Sequence, residues 1–344
     1  MIRIVMDAFG GDNAPNAVVE GAVLALSRYD DISITLCGRE DAIRQELGKH
    51  SFDAARMAVL DAQEVIDCHE APTVAIKRKK DSSLVKALTA VAQGEADCIV
   101  SAGSTGALLT GATLIVRRIK GVKRPALAPL LPTRTGGHMM LIDCGANADC
   151  KPSYLQQFAV MGSAYMKGVA GLENPRVALL NNGAEAEKGN ELTKAAYPLL
   201  AAAPINFVGN CEAREILSGE CDVLVCDGFS GNVVLKYTEG LAATILSMLK
   251  AELLADTRSK LGAALAKPAF RRMKKKMDYT EEGGAPLLGI NGGVIKAHGS
   301  SDAKAFCSAV MQARRFALAD VNGVISAAIS ALPDEIGRAH VRTP

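Results

Sequence analysis

The stretch CIVSAGSTGALLTGATLIV, residues 98–116, decides how this sequence folds. It contains no charged residue over a length close to that of a membrane span. Three glycines and five Ser or Thr residues interrupt it, which is too polar a pattern for a bilayer. A buried strand at residues 97–101, a Gly-rich turn and a helix at residues 104–119 fit the pattern better.

The same strand-turn-helix unit recurs along the chain. Strands are predicted at residues 2–7, 32–37, 57–60, 97–101, 126–131, 139–143, 176–180, 205–208, 222–226 and 294–297. Helices are predicted at residues 15–28, 41–47, 83–93, 104–119, 153–169, 187–200, 232–254 and 302–332. Strands that alternate with helices predict the α/β class, with a mainly parallel sheet that helices cover on both faces.

The composition is that of a folded globular protein. The 344 residues are 49% hydrophobic and 22% charged, which excludes a disordered or fibrous chain. Aromatic residues make up 4% and Trp is absent, so no stacking platform for single-stranded nucleic acid is expected. At about 100–200 residues per domain, the length predicts one large or two closely joined domains.

The cysteines and the first residues predict where the protein works. Nine cysteines form an odd, scattered set without a C-x-x-C pair, so neither a disulfide framework nor a zinc site is expected. The chain begins with a strand-like run that lacks the basic region, long apolar core and cleavage site of a signal peptide. These features predict a reducing, cytoplasmic location and no metal.

Five predicted strand-to-helix turns are rich in Gly, Ser, Asn and Asp. They cover residues 7–12, 101–106, 143–149, 181–183 and 227–232. In a parallel sheet such turns meet beyond the carboxyl ends of the strands, where ligands bind. A helix N-terminus has unpaired amides and a partial positive charge, so the turns are suited to an anion such as phosphate. The alternative is turn chemistry alone, in which Gly supplies positive φ and Asn or Asp caps a helix.

Several common catalytic motifs are missing. The turn at residues 101–106 is neither a Walker A loop nor a G-x-G-x-x-G turn, so nucleotide hydrolysis and nicotinamide binding lose support. No G-x-S-x-G elbow or catalytic Cys-His signature indicates covalent catalysis. His138 and Asp143 have an H-x-x-x-x-D spacing, but an offset of five residues in a strand puts the two side chains on opposite faces. Lys296 and His298, where a predicted strand ends, are better candidates to donate to an oxyanion or a leaving group.

Six short segments carry a resemblance to a known family. They are residues 6–12 with Pro15, 101–107, 143–150, 174–181, 222–233 and 287–299. In order and spacing they resemble the bacterial phosphate acyltransferases of phospholipid synthesis, whose members move a fatty acyl group from acyl carrier protein to inorganic phosphate. The sequence departs from the family's usual residues at Ser104, where Asn is usual, at Asn182, where an apolar residue is usual, and at Ala184, where Glu is usual.

The resemblance implies an α/β/α fold of the isocitrate and isopropylmalate dehydrogenase type, with a cleft between two lobes, in a homodimer. Residues 1–334 are expected to form a single two-lobed catalytic domain without a cofactor. Residues 240–283 are expected to protrude from it as a helical arm, called the basic arm below. Residues 335–344 have neither helix period nor caps and resemble translated adapter sequence, so we assign them no function.

The resemblance also implies the site residues. The expected catalytic residues are His298, Lys296, Asn232 and Asp227. The expected substrate-binding residues are Gly10, Gly11, Asp12, Ser101, Gly103, Ser104, Thr105, Gly106, Asn147, Asp149, Glu187, Lys188, Gly228, Gly231, Lys236, Gly299 and Ser300. Because phosphate is ionised near neutral pH and the leaving group is a thiol, fixed donors and a few cations would be enough for catalysis.

The basic arm has a charge of its own. Residues 257–277 contain eight cations and no acid, so the rest of the chain is net acidic, and Pro268 is expected to break or begin a helix there. The arm is interpreted as a solvated basic helix, a helix on an anionic membrane, or a dock for acidic acyl carrier protein. The resemblance favours the membrane, because the family associates with it peripherally. The expected contacts are Leu261, Leu265, Phe270, Arg271, Arg272, Lys274, Lys275 and Lys276.

The expected partners are acyl carrier protein, inorganic phosphate, an anionic membrane surface, a second copy of the chain and the downstream glycerol-3-phosphate acyltransferase, with no nucleic acid. Two other functions stay open. One is a short-chain phosphate acetyltransferase that uses coenzyme A thioesters, and the other is a non-catalytic regulator that binds an acyl group or its carrier. A dehydrogenase is disfavoured because the dinucleotide-binding turn is missing.

Overall fold

The computed structural model describes residues 1–277 and 283–332, without the side chains of residues 274–277. Within these ranges the chain forms twelve strands and eleven α-helices. The strands are β1 (Ile2–Asp7), β2 (Ile32–Gly38), β3 (Met57–Asp61), β4 (Cys98–Ser101), β5 (Ala126–Leu127), β6 (Leu130–Pro132), β7 (His138–Ile142), β8 (Arg176–Asn181), β9 (Asn206–Glu212), β10 (Val223–Val225), β11 (Ala285–Leu288) and β12 (Gly293–Lys296). The helices are α1 (Asn16–Arg28), α2 (Glu40–Leu47), α3 (Pro72–Arg78), α4 (Ser83–Ala92), α5 (Thr105–Gly111), α6 (Pro152–Gly168), α7 (Glu191–Ala201), α8 (Gly228–Leu253), α9 (Thr257–Met277), α10 (Ala303–Leu318) and α11 (Val321–Ser330).

The strands form two sheets. The first has the order β3-β2-β1-β4-β12-β11-β5, in which β3 to β12 are parallel and β11 is antiparallel to both of its neighbours. The second has the order β6-β7-β10-β8-β9, in which β6, at the edge, is antiparallel and the others are parallel. The prediction of a mainly parallel α/β protein is confirmed.

Alternate residues of the central strands enter separate cores on the two faces of each sheet. In β1, Ile4 and Met6 pack with α1 and α10, whereas Val5 packs with α4 on the opposite face. In β7, Met140 packs with α6, whereas Met139 faces a core that contains Ile216. Side chains point alternately to the two faces of a strand, so the apolar runs require cover on both sides of the sheet.

Three predicted elements are divided in the structure. The predicted helix at residues 302–332 is two helices, because Asp320 takes a left-handed backbone conformation (φ +43°) and caps α11 with its carboxylate. The predicted helix at residues 104–119 is α-helical as far as Gly111 and continues as a π-helical turn, Ala112–Val116. The predicted strand at residues 126–131 is interrupted at Pro129, which has no N–H to donate, so β5 joins the first sheet and β6 the second.

Other predictions missed elements that contain proline. β11 contains Pro286, which counts against a strand, and α3 is a short helix that begins at Pro72. The expected break at Pro268 is wrong, because α9 continues through it. Pro268 is exposed, so water can satisfy the carbonyl group that lacks a partner in the preceding turn.

The helical part of the basic arm that the structure describes is the second half of α8, from residue 240, and α9; the two helices contact each other. In α8, Gly228 and Gly231 are the buried residues, and the rest of this long helix is half-buried or exposed. Among the helices that the structure describes, none has the length and hydropathy to cross a membrane. The side chains of the predicted contacts Lys274, Lys275 and Lys276 are not described by the structure. The tail at residues 335–344 also lies outside the described residues.

Candidate active site

A cavity of about 330 Å³ lies where residues of both sheets meet beyond the ends of their strands. Its polar lining comes from four elements. Thr105 begins α5, Lys296 ends β12, and His298 and Ser301 follow β12. Asn232, Lys236 and Glu239 lie on α8, so one carboxylate is part of the lining. Its apolar lining includes Leu127, Pro129, Leu130, Leu235, Ala285, Ala297 and Ala305. This space, called the central cavity below, therefore combines cations and hydrogen-bond donors with an apolar wall.

Asp7, at the end of β1, holds the first Gly-rich turn in place. Its carboxylate is 2% exposed and accepts hydrogen bonds from Ser83 Oγ (2.6 Å) and Ser101 Oγ (2.7 Å). Ser101 Oγ in turn accepts from the Gly103 N–H at 3.1 Å. Burial raises the pKa of Asp7, against the hydrogen bonds from the two serines. A Cβ at Gly10 would lie 2.5 Å from Asp7 Oδ2, so only glycine fits beside this carboxylate.

Asp143, just beyond β7, holds the Gly-rich turn that follows this strand of the second sheet. Its fully buried carboxylate accepts hydrogen bonds from the backbone N–H groups of Leu127 (2.9 Å), Ala146 (3.1 Å) and Asn147 (2.7 Å). Asn147 Nδ2 also donates to it, at 2.9 Å, and to the Pro125 carbonyl at 2.8 Å. Burial raises the pKa of Asp143. Both nitrogens of Asn147, a predicted phosphate ligand, thus hold the turn, and in this structure the residue positions the loop.

The start of α5 has amides available to an anion. Ser104 Oγ caps the helix by accepting from the Ala107 N–H at 3.4 Å. The amides of Thr105 and Gly106 have no acceptor among the described residues, as expected in the first turn of a helix. Thr105 is exposed and lines the central cavity. Through Thr105, the start of α5 therefore faces the same space as the cations.

Lys296 is the most perturbed cation of the site. Burial lowers its pKa to about 8, although the nearby carboxylates of Asp7 and Asp12 favour the charged form. Its Nζ donates to the Ala102 carbonyl at 3.3 Å and also to the Ala297 carbonyl. Lys236, across the cavity, is exposed and donates to Glu239 at 2.8 Å. Lys296 is thus a fixed, partly desolvated ammonium, whereas Lys236 is a solvated one.

His298 has a hydrogen-bond pattern that defines its tautomer. Its Nδ1 accepts from the Ser300 N–H at 3.3 Å and lies 2.8 Å from Ser300 Oγ. Because an amide N–H can only donate, the neutral ring carries its proton on Nε2. His298 lines the central cavity, so it is suited to donate a hydrogen bond to a bound group.

Other predicted residues lie around the cavity rather than in its lining. The turn at residues 7–12 supports the loop of His298, because the Asp12 N–H donates to the Gly299 carbonyl at 2.8 Å and a Cβ at Gly11 would be 2.9 Å from the same oxygen. Asp227 caps α8 by accepting from Ser230 N and Oγ, both at 2.8 Å. It lines a different pocket of about 370 Å³ with Asn181, Asn182 and Asn190.

Gly228 and Gly231 press the start of α8 against the loop of Asp143. Cβ atoms would lie 2.6 Å from the Asn147 carbonyl oxygen at Gly228 and 1.9 Å from the Asp143 carbonyl oxygen at Gly231. Asp149, Glu187 and Lys188 are exposed and are not part of the central cavity's lining. The structure therefore brings together Thr105, Asn232, Lys236, Lys296 and His298, and leaves these three apart.

The sequence reasoning missed two kinds of residue. The sequence alone predicts no role for Asp7 and Asp143, although an acid at the end of an apolar strand and before a Gly-rich turn is a recognisable pattern. The apolar wall of Leu127, Leu130 and Leu235 comes from distant elements, and no local pattern marks it. His138 is exposed at the start of β7, whereas Asp143 is buried just beyond its end.

Comparison with known proteins identifies the family. Residues 2–323 match the model of a family described as "Fatty acid synthesis protein". A phosphate acyltransferase of Clostridium perfringens (strain SM101 / Type A) is 54% identical over 330 residues, which cover 96% of this chain and 97% of the relative. One of Clostridium botulinum (strain Loch Maree / Type A3) is 54% identical over 311 residues, which cover 90% and 92%. The chain belongs to the phosphate acyltransferase family.

Several solved structures are similar in fold to this phosphate acyltransferase. A phosphotransacetylase from Streptococcus pyogenes has a TM-score of 0.57 at 18% identity, covering 96% of this chain and 94% of that one. A 4-hydroxythreonine-4-phosphate dehydrogenase from Klebsiella pneumoniae has a TM-score of 0.54 at 13% identity, covering 92% and 99%. At such identities the likeness concerns the fold alone. The family resemblance is confirmed, and the isocitrate dehydrogenase type of fold stays a prediction.

Proposed function

We propose that this chain transfers a long-chain fatty acyl group from the thioester of acyl carrier protein to inorganic phosphate, giving acyl phosphate for phospholipid synthesis. The observation that carries the proposal is the central cavity, where Lys296, His298 and the first amides of α5 meet an apolar wall. Relatives that are 54% identical are named phosphate acyltransferases. The proposal includes residues 1–334 forming a single two-lobed catalytic domain.

Phosphate is placed between Lys296 and the start of α5. The amides of Thr105 and Gly106 supply fixed donors, the nearby Lys296 ammonium supplies positive charge, and Ser104 shapes the turn. With a second ionisation near neutral pH, phosphate is a competent nucleophile without a strong protein base. The work of the protein is then to hold two substrates in the attacking geometry.

The acyl group is placed along the apolar wall. A phosphate oxygen attacks the thioester carbonyl carbon, the C–S bond breaks, and the thiolate leaves with the electron pair and takes up a proton. The transient oxyanion accepts hydrogen bonds from the His298 Nε2–H and the Lys296 ammonium, each worth about 3–4 kcal/mol. A thiol has a reference pKa of about 8.5, so it leaves without a strong acid. Leu127, Leu130 and Leu235 contact the fatty chain.

The basic arm is assigned to an anionic membrane surface. On α9, Leu261 and Leu265 are 67% and 86% exposed and lie one helical turn apart, with exposed Arg271 and Arg272 further along. Exposed leucines beside cations are typical of a helix that lies on anionic lipid. We therefore propose a cytoplasmic protein that binds the membrane peripherally, close to a downstream glycerol-3-phosphate acyltransferase.

A second copy of the chain is assigned to the apolar side of α8. Phe229, Val233, Tyr237, Leu241 and Ile245 are exposed at four-residue spacing, so they form one stripe along the helix. Such a stripe on a surface helix supports an interface between copies. Sedimentation of the wild type and of a Val233→Glu/Tyr237→Glu variant tests this homodimer.

Thiol release from the long-chain thioester of acyl carrier protein, with and without phosphate, tests the proposed function. Release is expected to require phosphate and to fall in the His298→Ala and Ser104→Ala variants. A preference for short-chain coenzyme A thioesters would favour a phosphate acetyltransferase instead. Tight binding of the carrier without turnover would favour a regulator and contradict the proposal.

A further inference from the structure

We propose that a cationic pocket behind the central cavity docks the acidic carrier protein that presents the thioester. The pocket has a volume of about 380 Å³ and is lined by Leu109, Thr113, Arg118, Lys123, Arg124, Pro125, Ala146, Asn147 and Tyr154. This inference rests on the proposed function for the identity of its partner. The sequence offers the basic arm as a second possible dock for the carrier protein. Here the carrier is assigned to the cationic pocket and not to that arm.

The charge of this region is positive over a long stretch of sequence. Residues 98–142 contain no Asp or Glu, and their cations are Arg117, Arg118, Lys120, Lys123, Arg124 and Arg134. Among the residues that the structure describes, no carboxylate lines the pocket. Arg118 and Arg124 are exposed and form no ion pair among the described residues. Two arginines without carboxylate partners make the pocket complementary to an acidic surface.

The local contacts hold these arginines in place. The Arg118 guanidinium donates to the Lys123 carbonyl, and the Arg124 guanidinium lies 5.9 Å from the centre of the Tyr154 ring. Asn291 donates from its backbone N–H to the Arg117 carbonyl and from Nδ2 to the Arg118 carbonyl, both at 2.9 Å. A docking surface gains from such positioning, because less side-chain freedom is lost on binding.

The backbone of the segment is unusual in two ways. α5 ends in the π-helical turn Ala112–Val116, and Arg117, directly after it, has φ +72°, which a non-glycine residue rarely adopts. Both π-helical turns and strained residues occur preferentially at functional sites. The two hydrogen bonds from Asn291 to the carbonyl groups of Arg117 and Arg118 stabilise this strained backbone conformation. The exposed side chain of Leu114, in the same turn, adds an apolar contact beside the cations.

The cationic pocket is next to the reacting groups. A narrow apolar constriction shares Leu109 and Ala146 with it, and shares Thr105, Leu127 and Lys296 with the central cavity. The two spaces are thus separated by one set of shared side chains, so a carrier that binds at Arg118 and Arg124 lies beside the cavity in which its thioester reacts. No comparable continuity joins the described part of α9 to the central cavity, since no α9 residue lines it.

The test compares two donors of the same acyl group: the carrier protein thioester and the small pantetheine thioester, which has no carrier protein. An Arg118→Glu/Arg124→Glu variant is expected to lose about tenfold or more of kcat/KM for the carrier thioester, and less than about twofold for the pantetheine thioester. Added salt should lower the wild-type rate with the carrier thioester and have little effect on the variant. An Arg118→Lys/Arg124→Lys variant, which keeps both charges, is expected to stay close to the wild type.

A matched control is Arg28→Glu/Lys167→Glu, which reverses two exposed cations elsewhere and is expected to leave both donors unaffected. Equal use of the carrier thioester by the Arg118→Glu/Arg124→Glu variant and the wild type would overturn the inference. Three other results for this variant would also overturn the inference. Equal losses of kcat/KM with both donors would assign the pocket to catalysis. A change of oligomeric state in sedimentation would assign it to a second copy of the chain, and loss of vesicle binding would assign it to lipid. Absence of wild-type turnover with either donor would instead count against the proposed function.

Discussion

Replacement of Lys296 by methionine should lower activity and raise stability at the same time. The pKa of Lys296 is lowered from 10.5 to about 8 by burial, so the folded protein holds an ammonium that the unfolded chain solvates better. At about 1.4 kcal/mol per pKa unit, this costs the folded state up to about 3 kcal/mol below pH 8. Lys296→Met removes that cost, but it also removes two hydrogen bonds to carbonyl groups. The free energy of unfolding at pH 7 should therefore be about 1–3 kcal/mol higher in the variant than in the wild type.

The pH dependence gives this prediction its sign. Because the folded pKa is lower than the unfolded one, the penalty is complete below about pH 8 and disappears as pH rises to 10.5. Urea unfolding of both proteins at pH 7 and pH 10 should therefore show an advantage of Lys296→Met that shrinks at the higher pH. Lys236→Met is the control, because Lys236 is exposed and its change should be small at both pH values.

The activity of the same variant completes the test. Loss of one donor to the oxyanion should lower kcat by about 10²–10³. In the wild type about nine-tenths of Lys296 is charged at pH 7 and about one-tenth at pH 9, so activity should fall above pH 8. Lys296→Arg should shift this fall to higher pH. A Lys296→Met variant that is less stable than the wild type at pH 7, or fully active, would refute the reasoning.

Three further predictions concern separate parts of the fold. Gly231→Ala should lower the free energy of unfolding by about 1–3 kcal/mol, because its Cβ would be 1.9 Å from the Asp143 carbonyl oxygen; Gly240→Ala, in open space on α8, should raise it in the same urea titration. Ser104→Ala should lower the free energy of unfolding by about 0.5–1 kcal/mol and raise KM for phosphate. Ser104→Asn, which introduces the family's usual residue, should keep KM close to that of the wild type. Leu261→Asp/Leu265→Asp should leave thermal stability unchanged but abolish flotation with phosphatidylglycerol vesicles; undiminished flotation would remove α9 from the membrane contact.

The fold was predictable where the hydrophobic pattern is local. β1 and β2 were predicted to within one residue, because apolar runs bounded by turn residues mark buried strands. β11 was missed because Pro286 counts against a strand, yet β5 and β12 pair with it from distant parts of the chain. The division at Pro129 was missed because only the tertiary arrangement separates the two sheets.

The candidate site was predictable where a turn has a recognisable composition. Thr105 and His298 follow strands and Lys296 ends one, and all three line one cavity, as their positions in a parallel sheet suggested. The apolar wall could not be predicted, because a leucine in a cavity and a leucine in a core have the same sequence pattern. The role of Asn147 also required the structure, since only its contacts with Asp143 show that its nitrogens are already used.

Oxygen labelling tests the central claim most directly. The protein is incubated with the long-chain thioester of acyl carrier protein and phosphate in which all four oxygens are ¹⁸O, and the product is analysed by mass spectrometry. The account predicts acyl phosphate that keeps all four labelled oxygens, because a phosphate oxygen attacks the carbonyl carbon. Thiol release at the same rate without phosphate, with free fatty acid as the product, would contradict it.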